Sequence, residues 1–256
     1  MEFYTAIDIG SYSVKLALAK KDDAGDLELL TLSQVQSKSV VRGIIYNLSD
    51  TTRAIKQVLE LVKRDINIEQ ANLVCNINGQ HVSSERFTES TPLRNFRHVF
   101  IQMAALKNVE SCLINAGLRA KSFVPESIAP LYAIKEDAVF VFNFGYSVLN
   151  VSLKYHQEFH HLFTFAHFGN PAETIKACAS EILSHQLFFM CSSIVLCGGL
   201  SYDEQLFVAI RHLFPSMWVK YATFSGFGTT VDETIRDRSN GTVLGLLKYA
   251  GYNQEK

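Results

Sequence analysis

The stretch AIDIGSYSVKLALAK, residues 6–20, places a carboxylate, a glycine turn and a lysine between two apolar runs. A tight turn of small residues around Gly10 exposes backbone N–H groups on one side, and such a concavity suits phosphate oxygens. Asp8 ends the first run, where a carboxylate could hold a hydrated Mg²⁺, and Lys15 could supply a compact positive charge. Taken alone, Asp8 could equally be an acidic residue that stabilises the turn, and Lys15 could be a basic side chain exposed to solvent. The other candidate ligands of this turn are Ser11, Tyr12 and Ser13.

A second glycine turn repeats this pattern in the other half of the chain. NFGYSVLNVSL (143–153) aligns without gaps on DIGSYSVKLAL (8–18), which places Gly145 on Gly10 and Asn143 on Asp8. Each copy precedes a third predicted strand and then a helix, which favours an ancestral duplication over a chance likeness between two hairpins. The candidate ligands of the second turn are Asn143, Gly145, Tyr146 and Ser147.

A third glycine turn follows a buried strand in SSIVLCGGLSYDEQL. Adjacent Gly198 and Gly199, with Leu200 after them, allow a flat ligand to approach the backbone closely. A helix that we expect to be capped by Ser201 follows, and its N-terminus adds positive potential. Glycine pairs occur at many plain turns, so this signal counts only together with the two hairpins. The three turns predict one phosphate-binding cleft.

The elements that must position these turns alternate between strands and helices. In the first half they are predicted at about 3–9, 12–20, 27–36, 49–65, 71–77, 97–116 and 120–124, with Ser49 or Asp50 capping the first helix and a short helix after Pro125. In the second half strands fill 138–166, and further elements are predicted at about 171–190, 192–197, 203–214 and 240–250. This order predicts an α/β fold with two lobes, 1–134 and 135–256, and a cleft between them.

Composition excludes several classes of function. The chain has 256 residues, 48% of them hydrophobic, and a net charge of −1, which gives no general attraction to nucleic acid or anionic lipid. No apolar run approaches the roughly 20 residues of a membrane span, and no signal peptide is visible. The five cysteines lie in apolar segments without metal-type spacing, which predicts buried, reduced thiols in a cytoplasmic protein.

Two other clusters are weaker candidates. Four histidines lie close together in the second half, but the adjacent His160 and His161 would point to opposite faces of a strand, so we expect no metal site there. Asp8 is thus the one predicted metal ligand. Residues 187–190, Leu-Phe-Phe-Met, are predicted to be core rather than a partner surface.

Together these motifs resemble the actin-like ATPase superfamily, and within it the FtsA-like cell-division proteins. AIDIGSYSVKLAL resembles the first phosphate loop, VFNFGYSVLNVSL the second and IVLCGGLS the adenosine motif. The stretches at 40–60 and 73–84 are similar to segments of FtsA, and the pilus protein PilM shares much of the pattern. The resemblance implies a two-lobed, ribonuclease-H-like fold with ATP and Mg²⁺ in the cleft.

The departures from the family pattern imply a reduced protein. Asn143 stands where the family has an aspartate, and Tyr12 and Tyr146 stand where small residues are usual. Only about a dozen residues separate 78–84 from the second predicted helix, and the stretch between Gly169 and Ile194 has room for one helix only. We therefore expect the outer subdomains of the family to be absent and only the two core subdomains to remain. We therefore predict weak or lost nucleotide binding and assign no catalytic residue.

The favoured hypothesis is a shortened FtsA-like scaffold in cell division. Its alternatives are an active ATPase that binds Mg-ATP through Asp8, Lys15 and Gly199, a PilM-like scaffold of a pilus or secretion machine, and a small-molecule kinase, for which no base is evident. Each scaffold hypothesis implies protein partners, no nucleic acid and no direct membrane insertion, and leaves a homodimer open.

Overall fold

The computed structural model describes residues 2–23, 25–62, 72–78, 82–88, 95–167, 170–185, 187–228 and 235–252, and within these it describes only the backbone of residues 83–88 and 95–100. The strands, in chain order, are β1 (Phe3–Ile9), β2 (Ser13–Lys21), β3 (Leu27–Gln36), β4 (Val40–Val41), β5 (Ile44–Ile45), β6 (Asn72–Ile77), β7 (Val82–Thr88), β8 (Asn95–Ile101), β9 (Ser122–Pro125), β10 (Val139–Phe144), β11 (Val148–Tyr155), β12 (Glu158–Ala166), β13 (Ser193–Cys197) and β14 (Trp218–Tyr221). The α-helices are α1 (Leu48–Val62), α2 (Met103–Asn115), α3 (Pro171–Ser184), α4 (Glu204–Leu213) and α5 (Gly241–Tyr252). Short 3-10 helices lie at Ala129–Tyr132, Phe188–Met190, Gly199–Tyr202 and Arg238–Asn240.

Two five-stranded sheets share one topology. The first has the order β3-β2-β1-β6-β9 and the second the order β12-β11-β10-β13-β14. In each sheet the first three strands along the chain are antiparallel, and the remaining two are parallel to the first. The hairpins aligned in the sequence, β1–β2 and β10–β11, occupy equivalent places. This equivalence confirms the predicted repeat.

The molecule is layered, with each sheet covered on both faces. Helices α1 and α2 cover the outer face of the first sheet, and α3 and α4 cover that of the second. Between the sheets lie α5 and the 3-10 helix at Ala129–Tyr132, which pack on the inner faces of both. Because α5 is buried along nearly its whole length, it is apolar on every side rather than amphipathic.

Strand alternation decides which side chains face the centre. In β1, Tyr4 and Ala6 join the central core, while Ile7 and Ile9 join the outer one. In β10 the valines face inward, and the phenylalanines face the outer helices. In β1 the next residue that faces the centre after Tyr4 and Ala6 is Asp8.

The corresponding inward positions at the same end of the other strands are also polar. They are Lys15 in β2, Asn76 in β6, Glu126 directly after β9 and Asn143 in β10. Polar side chains therefore gather at one edge of the two sheets.

Several predicted elements need correction. The helix predicted over about 97–116 is wrong in its first part, because Asn95–Ile101 forms β8, which pairs with β7 as a separate two-stranded sheet. Strand β14 lies where only a loop was predicted. The predicted caps are also wrong: Asn47 accepts a bond from the Asp50 N–H at the start of α1, and Asp203, not Ser201, caps α4.

Other predictions concern burial. All five cysteines are free and buried, as predicted. The prediction that residues 187–190 belong to the core is only partly right. Phe188 is buried, whereas Phe189 is 87% exposed and Met190 is also exposed. No helix in the described part of the chain is both long and apolar enough to span a membrane.

Candidate functional site

The polar edges of the two sheets enclose a cleft of about 440 Å³. Its walls come from the β1–β2 turn, the β10–β11 turn, the glycine turn after β13 and the start of α5. All the residues predicted from the three glycine turns line it: Asp8, Gly10, Ser11, Tyr12, Ser13, Lys15, Asn143, Gly145, Tyr146, Ser147, Gly198, Gly199 and Leu200. Folding thus brings together three turns that lie far apart in the sequence.

Lys15 faces Asp8 across the first hairpin, where the two residues are direct partners of the antiparallel ladder. The Lys15 ammonium donates to the backbone oxygen of Ser239 at 2.5 Å and to Oδ1 of Asn240 at 3.0 Å. Burial lowers the pKa of Lys15, and the charge of Asp8 opposes that shift. In this structure the lysine therefore ties the first hairpin to the segment that leads into α5.

Asp8 is buried and held from one side by an amide. Asn76 Nδ2 donates to Asp8 Oδ1 at 2.6 Å, while Asn76 Oδ1 accepts from the Ile9 N–H at 2.8 Å. Burial raises the pKa of Asp8 to about 6, although the Lys15 charge acts in the opposite direction. Asp8 is therefore a carboxyl group whose protonation changes near pH 6 rather than near pH 4.

Glu126 is a second buried carboxyl group in the cleft, and the sequence analysis missed it. It follows β9 directly, and its N–H donates to the Ile77 carbonyl at 2.8 Å, which fixes it beside β6. Burial, and then the nearby charge of Asp8, raise the pKa of Glu126 to about 8. The signal that predicted Asp8, an acid at the end of a buried strand, is also present in SFVPE.

The second hairpin is held to α5 and packed against Gly198. Asn143 Nδ2 donates to Thr242 Oγ1 at 3.2 Å, so its amide is bound to the first turn of α5. Gly198, with φ +91°, lies against this hairpin, and a Cβ there would come within 2.6 Å of Asn143 Oδ1 and 2.4 Å of the Phe144 oxygen. Glycine is required at 198 both for its conformation and for this close approach.

The tips of the two hairpins touch across the mouth of the cleft. Ser11 Oγ and Ser147 Oγ form a hydrogen bond of 2.7 Å, and the Arg42 N–H donates to Ser147 Oγ at 3.0 Å. The rings of Tyr12 and Tyr146 lie side by side, with their centroids 5.5 Å apart. In the internal repeat, Ser11 aligns with Tyr146 and Tyr12 aligns with Ser147. The positions that form the serine pair are therefore equivalent, in the repeat, to the positions that form the tyrosine pair. We call these two pairs the tip contacts.

An aromatic stack borders the cleft beside Gly198–Leu200. The guanidinium of Arg238 lies between the rings of Tyr202 and Tyr221, 3.9 Å and 3.7 Å from their centroids. Such cation–π contacts restrain a planar cation strongly when it is shielded from water. Tyr202 is half exposed and lines the cleft, so this side presents a rigid aromatic surface.

The site fits a magnesium-bound phosphate on one side only. Asp8 and Glu126 are hard oxygen ligands of the kind Mg²⁺ prefers, and the open side of Gly199 allows a ligand to approach the backbone. The second hairpin offers the neutral Asn143, already bound to α5, and its turn hydroxyl, on Ser147, is bonded to Ser11. The first hairpin therefore supplies the carboxylate and the ammonium that suit a magnesium-bound phosphate, whereas the second supplies a neutral amide, and the Ser11–Ser147 bond engages one hydroxyl of each hairpin.

No protein-family model and no curated protein matches the chain. Solved structures do match its fold. EutJ, an ethanolamine utilization protein from Carboxydothermus hydrogenoformans, is 11% identical with a TM-score of 0.70 over 97% of this chain and 90% of its own. A chain of a PilM–PilN type IV pilus biogenesis complex is 12% identical with a TM-score of 0.70 over 97% and 98%. MreB 5 of Spiroplasma citri bound to AMPPNP is 10% identical with a TM-score of 0.60 over 100% and 98%. The chain has the two-lobed α/β fold of the actin-like ATPases.

Proposed function

We propose that this chain is an actin-fold scaffold protein that binds other proteins and has weak or lost nucleotide binding. The observation that carries the proposal is the pair of tip contacts across the mouth of the cleft. The hydroxyl groups of Ser11 and Ser147 are hydrogen-bonded to each other, and the rings of Tyr12 and Tyr146 are in contact where the two turns meet. A phosphate held between the turns would have to separate both pairs.

The cost of separating the tips decides how weak binding should be. A hydrogen bond contributes about 1 kcal/mol net and an aromatic pair about 1 kcal/mol beyond its burial. Asn143 adds the loss of a carboxylate that would help to hold Mg²⁺. A total of about 3 kcal/mol corresponds to roughly a hundredfold in affinity, which would move a micromolar site beyond about 100 μM.

The proposed setting is a protein assembly in the cytoplasm. The FtsA-like resemblance of the motifs favours cell division, and the fold likeness to a chain of a PilM–PilN pilus biogenesis complex supports a role in a multi-protein machine. A net charge of −1 supports protein rather than nucleic-acid partners. The lobes 1–134 and 135–256 are proposed as the two units that present the binding surfaces.

Calorimetry with Mg-ATP tests the proposal. We expect the unaltered protein to bind more weakly than about 100 μM and to hydrolyse no ATP above background. The double variant Asn143→Asp, Tyr146→Gly restores a carboxylate and removes one tip contact, so it should bind at least tenfold more tightly. Circular dichroism of each variant checks that it folds. Tight binding by the unaltered protein that Lys15→Ala abolishes would contradict the proposal.

The second candidate function is an active ATPase. It is favoured by the convergence of Asp8, Lys15 and Glu126 at one end of the cleft, and MreB 5, which shares the fold, was solved bound to AMPPNP. When bound, Mg-ATP would supply a phosphoryl group held by the first hairpin. Because the pKa of Glu126 is raised to about 8, Glu126 could take a proton from water only where it is ionised, so hydrolysis should increase as pH rises toward and above 8. Hydrolysis by the unaltered protein that Glu126→Gln removes, while binding remains, would select this function.

A further inference from the structure

A groove of about 380 Å³ lies at the hairpin tips, beside the cleft. Four residues line both the groove and the cleft: Ser11, Tyr12, Tyr146 and Ser147. The tip contacts therefore form a shared wall between the two cavities. Anything seated in the groove would touch the same rings that must move to open the cleft.

The groove continues into an exposed apolar surface. Tyr12 and Tyr146 are more than half exposed. Val41 and Ile44 are direct partners in the β4–β5 hairpin, which places both exposed side chains on one face, while Val40 and Ile45 are buried on the other. An apolar surface of this kind on a polar-rimmed cavity is typical of a protein-binding site, where tyrosine is enriched.

The charge at the edge of the groove selects the kind of partner. Lys38 is exposed and lines the groove, and Arg42 lies at the adjoining turn of the β4–β5 hairpin, held by its N–H to Ser147. Among the described residues that line the groove, none carries a carboxylate. The Lys38 ammonium beside an apolar surface complements an apolar segment that also carries an acidic side chain.

We propose that the groove binds a short segment of a partner protein that combines aliphatic or aromatic residues with at least one Asp or Glu. This proposal rests on the proposed scaffold function and names the surface through which it acts. Because the segment would pack on Tyr12 and Tyr146, it stabilises their contact and opposes the opening of the cleft. Binding of the segment and of Mg-ATP therefore weaken each other by the same factor.

Selection from a phage-displayed random peptide library on the folded protein tests this inference, with a synthetic peptide of the enriched sequence as the probe. We expect the enriched peptides to combine apolar residues with Asp or Glu. Fluorescence polarisation should show that Val41→Ser and Lys38→Glu each weaken binding of the peptide at least tenfold. The matched controls are Val208→Ser and Lys56→Glu, which change residues that are also exposed, on α4 and α1, and should change affinity less than twofold.

Three results would overturn the inference. They are a failure to enrich any peptide, enrichment of peptides without acidic residues, and peptides that bind Val41→Ser and Lys38→Glu as tightly as the unaltered protein. Sedimentation that shows self-association abolished by Lys38→Glu would assign the groove to a second copy of this chain instead. Calorimetry with Mg-ATP alone is independent of these outcomes, so failure of the groove and failure of the scaffold function are distinguishable.

Discussion

At the residue scale, two buried carboxyl groups share one cleft. Burial raises the pKa of Asp8 from 3.8 to about 6 and that of Glu126 from 4.5 to about 8. The folded chain therefore keeps protons that the unfolded chain releases as pH rises from about 4 to about 8. Stability contributed by these groups is fully present below their ordinary pKa values and is lost as pH rises through the raised ones.

Glu126→Gln should remove most of this loss, because a neutral amide has no proton to release. Between pH 5 and pH 8 we expect the free energy of unfolding of the variant to gain about 3 kcal/mol relative to the unaltered protein. Urea unfolding at the two pH values measures this difference. Glu60→Gln, on the exposed face of α1, is the control and should show no such change. An equal effect of both substitutions would mean that Glu126 is ionised in the fold.

The site residues were predictable where a local pattern marks them. Asp8, Gly10 and Lys15 stand in one hairpin whose composition already suggests phosphate chemistry. Asn76 lies on β6, which pairs with β1, and Glu126 directly follows β9, which pairs with β6, so the roles of both residues depend on pairings that exist only in the folded sheet. The contacts between the two tips belong to no single segment and could not be read from either hairpin alone.

At the element scale, α5 is the helix on which both sheets pack. Gly245 lets it cross the 3-10 helix at Ala129–Tyr132 closely, since a Cβ there would lie 1.8 Å from the Ala129 oxygen. Alanine would gain about 1 kcal/mol in helix propensity, but the clash must push the two segments apart. The helix is therefore held in place by a contact that only glycine permits.

Gly245→Ala should destabilise the protein by about 3 kcal/mol, because a displaced α5 loosens the central core. Urea unfolding monitored by circular dichroism gives the value. Gly199→Ala is a matched control, since a Cβ there meets no heavy atom within 4 Å, and we expect its effect to stay within about 0.5 kcal/mol. If Gly245→Ala lowers the free energy of unfolding no more than Gly199→Ala does, the clash at Ala129 is relieved without a loss of stability and the prediction is wrong.

Elements with a clear hydrophobic period were predictable, and those fixed by their partners were not. Strands β1 to β3 and helix α1 lie where the sequence indicates, because each carries an unbroken apolar pattern. The sequence predicts the first turns of a helix where β8 forms, because the apolar residues there occur at spacings that fit both structures. Strand β14 is four residues long, and it is a strand because β13 lies beside it.

At the scale of the whole molecule, the two lobes are nearly all that the described chain contains. Outside them the described residues add the β4–β5 and β7–β8 hairpins, each a two-stranded sheet. The resemblance to actin-like proteins implies that filaments form through outer subdomains, and outside the two lobes the described residues offer only these two hairpins for that role. Stacking of many copies therefore has little surface to use.

We accordingly expect no long filaments on addition of Mg-ATP. Right-angle light scattering at increasing protein concentration should show no cooperative rise, with EDTA in place of Mg²⁺ as the control. Analytical ultracentrifugation of the same samples would detect a dimer without mistaking it for a filament. A scattering signal that rises above a critical concentration only with Mg-ATP would contradict this expectation.

The position of α5 between the sheets also has a consequence for biosynthesis. β1 leaves the ribosome before every other described strand, whereas α5, which covers its inner face, follows every described strand of both sheets. At a translation rate of about 5–20 residues per second, α5 is synthesised on the order of tens of seconds after β1. During translation the inner, apolar face of the first sheet is thus exposed until α5 is made, and we expect nascent-chain chaperones to bind it.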